Sequence, residues 1–202
     1  MIRRVDVISS LVIGELAALL MVFVSHNISL PDAVVPYIKF LPYVFPFFTL
    51  AVIVAGTLTA KVFPVAHQFA KFSLVGGLNF LIDLGVLNLL IAATGITAGF
   101  GVNAFKAASF LAAVISSFLW NKFWTFRSLS VEHTAKQFAE FFAVTLVGFF
   151  INVGAFALVN GWLGPQWGID PQTWASVAAT GSAVSGLLWN FLGLKFVVFR
   201  RK

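Results

Sequence analysis

Six apolar runs, each close to the length needed to cross a bilayer, constrain this chain more than any other feature. They cover about Val5 to Val24, Val44 to Ala60, Phe72 to Ala92, Phe100 to Asn121, Phe141 to Asn160 and Trp174 to Leu194. A bilayer core is about 30 Å thick and a helix rises about 1.5 Å per residue, so one span takes about 20 apolar residues. Barrel strands would read as alternating segments of about 10 residues, which these runs do not resemble. The predicted fold class is an all-α membrane protein with six transmembrane helices. The second run is the most marginal, with Pro42 and Pro46 at its entrance. Composition agrees: 60% of the chain is hydrophobic and 10% charged, against about a quarter charged in a soluble domain. The first run carries Glu15 and no small-x-small cleavage pattern, so it is expected to stay as a helix rather than leave as a signal peptide.

The basic residues report orientation. A net charge of +6 would suggest nucleic acid in a soluble protein, but here Lys and Arg flank the spans. With a cytoplasmic N-terminus, eleven of the thirteen fall on the inside: Arg3, Arg4, Lys61, Lys71, Lys122, Arg127, Lys136, Lys195, Arg200, Arg201 and Lys202. Lys39 falls in an outer loop and Lys106 within a span. A multi-pass protein of the cytoplasmic membrane with both termini inside follows from this bias. The basic ends would also attract anionic headgroups at about 1 kcal/mol per residue.

The last four spans contain an internal repeat. Phe69-Ala-Lys-Phe72 returns as Phe138-Ala-Glu-Phe141, and at the same shift Gly76, Asn79 and Asp83 correspond to Thr145, Gly148 and Asn152. On the partner helices Ser109, Ala113 and Ser117 correspond to Ser182, Gly186 and Asn190. Both sets keep one helix face. The hairpins close alike, Lys122-Phe-Trp-Thr-Phe-Arg127 matching Lys195-Phe-Val-Val-Phe-Arg200. Repeats 69–127 and 138–200 each hold two spans, so they are parallel in the membrane. Residues 1–64 form an additional N-terminal two-helix hairpin and residues 65–202 a four-helix domain.

Two Gly/Asn-bearing hairpins with basic-aromatic ends such as Asn121-Lys-Phe-Trp-Thr-Phe-Arg127 resemble the GtrA-like family of small polytopic membrane proteins. The resemblance covers residues 69–200. It implies a role in moving polyprenyl-phosphate-linked sugars across the cytoplasmic membrane, in concert with a polyprenyl-phosphate glycosyltransferase. Within this sequence Leu194 stands where the first hairpin has Asn121, and the N-terminal hairpin is additional to the four-helix pattern.

Candidate binding residues carry two readings each. Asp83 and Lys106 lie roughly 13 Å and 9 Å from the outer ends of adjacent spans. They are either a structural ion pair or a site for the lipid-linked headgroup. Asn79, Asn152, Asn190 and Ser117 line small-residue faces that suit helix packing or a polar groove. Lys122, Trp124, Arg127, Lys195 and Arg200, with Asn121, suit interfacial anchoring or recognition of a phosphodiester by cations beside aromatic rings. Glu15 has no cation in its own span. His26, His67 and His133 lack metal-ligand spacing and read as ordinary surface residues.

No phosphate loop, nucleophilic triad or paired carboxylate for Mg²⁺ is present in the sequence, so neither an enzyme nor a cofactor site is expected. The absence of cysteine removes disulfides and thiolate metal sites. The leading expectation is a flippase for a polyprenyl-phosphate-linked monosaccharide used in cell-surface polysaccharide or glycan modification. The alternatives are a non-transporting subunit that anchors a polyprenyl-phosphate glycosyltransferase, and a small ion-coupled exporter. The expected partners are that lipid-linked sugar, membrane lipids, the glycosyltransferase and a second copy of the chain.

Overall fold

The computed structural model describes residues 2–28 and 31–200. Arg201 and Lys202, counted among the basic residues above, and Met1 lie outside the described residues. The fold is helical, with six helices long and apolar enough to cross a membrane. This is a multi-pass membrane protein. Its outward faces show why: Phe80, Phe149 and Phe150 are each about 60% exposed. Leaving such side chains in water would forfeit about 1.5–3 kcal/mol apiece at full exposure.

The chain divides into two compact units, residues 1–127 and 128–202. The first holds α1 (Arg4–Ser25), a short α2 (Val35–Ile38), α3 (Leu41–Thr59), α4 (Ala66–Thr94), α5 (Gly99–Trp120) and a π-helical turn, Asn121–Thr125. Here α1 packs along both α3 and α4, while α4 pairs with α5. Ile13, Ala17, Ile53, Val75, Leu78 and Trp124 form its core. The proline-rich second run is a helix after all. Pro42 sits in the first turn, where a missing N–H breaks no helix bond. Pro46, one turn later, is buried against α1. A Cβ on Gly14 would lie 2.5 Å from the Pro46 Cα, so only glycine permits that approach. The buried Thr49 hydroxyl lies 2.7 Å from the Ser10 carbonyl and 2.8 Å from that of Pro46, tying α3 to α1.

The second unit holds α6 (Thr134–Phe156), a π-helical segment Ala157–Leu163, α7 (Pro171–Gly193) and a closing π-helical turn, Leu194–Val198. Two tryptophans set its register. Trp174 Nε1 donates to the Val159 carbonyl at 3.0 Å and Trp189 Nε1 to the Val144 carbonyl at 3.1 Å. The spacing between the two contacts is equal on both helices, as antiparallel packing requires. Asp170 caps α7 by accepting the backbone N–H groups of Gln172 and Thr173. Hydrogen bonding by Thr173, side chain first and backbone second, holds the Asp170 carboxyl below its ordinary range.

All six apolar runs are helices, but α4 and α6 begin well before theirs, at Ala66 and Thr134. The added turns contain Ala, Gln and Lys, good helix formers that need no lipid to stay helical. Hydropathy marks where a span is greasy, not where its helix starts.

Candidate functional site

Asp83 and Lys106 meet as the depth argument requires. The Lys106 ammonium donates to Asp83 Oδ2, and the Ser109 hydroxyl donates to Asp83 Oδ1 at 2.6 Å. Ser109 is fully buried at the α4–α5 seam. By contrast the Lys106 side chain is 53% exposed and that of Asp83 20%. In the second repeat the corresponding positions are Asn152 and Ala179, so both charges are lost together. The pair is a property of the first hairpin alone.

The small-residue faces pack the hairpins. In the second unit a Cβ on Gly148 would fall 2.1 Å from Asn190 Oδ1, and one on Gly186 would fall 3.2 Å from the Asn152 Cβ. The first hairpin reverses the volumes, with Asn79 on α4 and Ser117 on α5. Asn79 is buried, and neither of its amide atoms has a hydrogen-bond partner among the described residues. Asn190 Oδ1 is in the same condition.

Each repeat closes on a π-helical turn at the same 73-residue shift. Phe126 N donates to the Asn121 carbonyl, and Phe199 N to that of Leu194, at 2.8 Å in both cases. Each turn places its lysine over the ring that follows it, Lys122 at 5.8 Å from Phe123 and Lys195 at 5.3 Å from Phe196. The two ends differ in access. Lys195 is partly exposed and Arg200 exposed, as an interfacial cation should be. Lys122 is instead fully buried, together with Asn121 and Trp124. Both closures are π-helical, so the turn alone does not decide this difference, and sequence hydropathy carries no sign of it. Arg127, partly exposed, ends the first turn with φ of 55°, a left-handed conformation unusual for a side chain of its size.

A second charged cluster lies in the first unit. Asp6 on α1 is 3% exposed and Lys71 on α4 is 4% exposed, and the two form an ion pair. Lys71 holds Asp6 Oδ1, while Asp6 Oδ2 accepts from the Arg3 backbone N–H at 3.4 Å and stands 3.4 Å from His67 Nε2. His67 Nδ1 reaches the Thr57 hydroxyl of α3 at 2.8 Å. The Lys71 ammonium sits 5.3 Å from the Trp124 ring centre, and Gln68 Nε2 donates to the Thr125 carbonyl. Read from sequence, Lys71 is an orientation charge and His67 a surface residue. The structure makes both members of a network joining α1, α3, α4 and the π-turn.

The candidates therefore fall into separate groups. Asp83 and Lys106 lie about 18 Å along α4 from Lys71, counting about 1.5 Å per residue. Asn121, Lys122 and Trp124 gather at the Lys71 end of the first unit. Asn152, Asn190, Lys195 and Arg200 belong to the second. Glu15 is partly exposed and forms no ion pair among the described residues. No group of three His, Cys, Asp or Glu residues able to hold a metal occurs among the described residues.

Residues 71–199 match the family model for the GtrA/DPMS transmembrane domain. The match runs through both repeats. No curated protein and no solved structure matches the chain.

Proposed function

From a chain that belongs to the GtrA/DPMS transmembrane-domain family, we propose translocation of a polyprenyl-phosphate-linked monosaccharide across the cytoplasmic membrane, for cell-surface polysaccharide or glycan modification. The observation that carries this reading is the pair of π-helical closures, each setting a lysine over an aromatic ring at the same place in its repeat. At the second closure, where the lysine is accessible, a phosphodiester on a long prenyl chain finds a cation for its charge and a ring for the apolar stem. Lys195 and Arg200 are the accessible cations of this set and take the phosphate first.

Asp83 and Lys106 form a separate contact within the first unit. Lys106, half exposed, contacts the phosphate in transit, while Asp83, held by Ser109, orients it. Asn79 in the first unit, and Asn152 and Asn190 in the second, offer further polar groups within their own hairpins. The protein performs no bond-making step, because it moves its substrate unchanged. Both termini lie in the cytoplasm, residues 1–64 are a hairpin added to the family domain, and two copies complete the path. A polyprenyl-phosphate glycosyltransferase supplies the substrate.

Changing Lys195 and Arg200 together to Gln tests the assignment. Translocation in cells should fall sharply while the protein inserts at its normal level. An unchanged rate would remove these ends from the substrate path.

A further inference from the structure

The Asp6–Lys71 cluster has the composition of an anion site whose cation is already occupied from within. Lys71 is almost wholly buried and held by Asp6. Beside it lie hydrogen-bonding groups that have no partner. Trp124, whose ring the Lys71 ammonium faces, is 3% exposed and its Nε1 has no acceptor among the described residues. Thr125, 4% exposed and reached through its carbonyl by Gln68, has an equally unpartnered Oγ1. Buried donors without acceptors are uncommon and costly, so two of them on consecutive residues of the turn whose tryptophan faces Lys71 call for an explanation.

Depth and neighbourhood narrow the ligand. Asp6 and Lys71 lie within about one and a half turns of the starts of α1 and α4, roughly 3 to 8 Å along the axis, which is the level of a lipid headgroup. Farther along the same two helices, Ile13, Ala17, Leu74 and Leu78, with Phe45 of α3, line an apolar cavity of about 330 Å³. A charged end next to an apolar slot fits an amphiphile with a small anionic head. A phosphate offers several strong acceptor oxygens, enough to take Lys71, Trp124 Nε1 and the Thr125 hydroxyl together.

We propose that Lys71, Trp124 and Thr125 form a binding site for the phosphate of the polyprenyl carrier, with its first isoprene units in the cavity beyond. Asp6 is the internal anion that the phosphate displaces from Lys71. The site rests on the function proposed above and adds to it a role for the N-terminal hairpin, which supplies Asp6 and part of the apolar lining. Asp6 thereby sets the affinity: only the fraction of molecules with Lys71 released is competent to bind, and the apparent affinity falls by that fraction.

The test measures binding of a short polyprenyl monophosphate to the full chain in nanodiscs, with phosphatidic acid as a second probe that shares the phosphate but carries acyl chains. Asp6→Asn should bind the polyprenyl probe about tenfold more tightly than the wild type. Lys71→Gln should bind it at least about tenfold more weakly. Asp6→Asn with Lys71→Gln should fold as the wild type does and bind like Lys71→Gln. If Asp6→Asn is unstable alone, the polyprenyl probe should raise its unfolding temperature by more than it raises that of the wild type, since the phosphate replaces the missing anion. Wild-type binding of the polyprenyl probe that neither single variant alters, or an unstable Asp6→Asn that the probe does not rescue, overturns this site and leaves the proposed function standing. Equal response to phosphatidic acid overturns the choice of a polyprenyl ligand. A wild type that does not bind the polyprenyl probe overturns both this site and the function on which it rests.

Discussion

The Asn190 amide occupies the space that a side chain on Gly148 would need, its Oδ1 2.1 Å from where that Cβ would stand. In the first hairpin the large and small partners are exchanged, Asn79 on α4 against Ser117 on α5. Gly148→Asn alone should therefore overpack the α6–α7 seam and destabilise the protein by about 1–3 kcal/mol. Adding Asn190→Ser copies the first hairpin and should recover most of that loss. Thermal unfolding in a mild detergent reads both, and a double variant no better than the single one would contradict this account of the seam.

The Asp83–Lys106 pair separates structure from transport. Removing one partner of a truly buried pair costs about 3–5 kcal/mol, and here the cost is smaller because half of the Lys106 side chain is exposed. Asp83→Asn should lower expression modestly, and Asp83→Asn with Lys106→Met should restore it. Transport should remain lost in the double variant, because both the cation on the phosphate and its orienting carboxylate are gone. A well-folded double variant that transports normally would show that the pair only braces the hairpin.

Asp170 gives a prediction about pH. Its folded-state carboxyl titrates below the ordinary value, through hydrogen bonding by Thr173. A depressed value means that the cap stabilises α7 above about pH 4, the unfolded carboxylate value, and that this contribution disappears as pH falls through the lower folded value. The unfolding temperature of the wild type should thus exceed that of Asp170→Ala at neutral pH and converge toward it below about pH 4. A gap that persists unchanged in acid would rule out the ionised cap.

Membrane sidedness follows from the eleven-to-two division of basic residues. Single cysteines at Ser130 and Gly164 should react with an impermeant reagent from opposite faces. Labelling of both in intact cells would exclude the proposed orientation.

What the sequence made legible depended on the range of the interaction. Span number follows from run length, and Asp83–Lys106 from matching depths on neighbouring spans. Asp6–Lys71 was open to the same depth argument, since both lie near the same end of their helices. It was hidden because α1 and α4 are not consecutive, and helix periodicity does not say which distant spans touch. Lys71 also satisfies the inside bias of basic residues, so its charge does not by itself point to a partner. The burial of Lys122 had no sequence signal, because Lys195 holds the same place in the same kind of turn and stays partly exposed.

The proposed function stands on movement of a lipid-linked sugar between leaflets by this chain alone. Purified protein in sealed liposomes containing a fluorescent polyprenyl-phosphate monosaccharide, with no glycosyltransferase present, tests it most directly through the fraction of label that a membrane-impermeant quencher can reach over time. Label initially protected in the inner leaflet should become accessible in protein-containing vesicles far faster than in empty ones, and changing Lys195 and Arg200 to Gln should slow this exchange. Exchange no faster than in empty liposomes, from correctly inserted and folded protein, would contradict the claim.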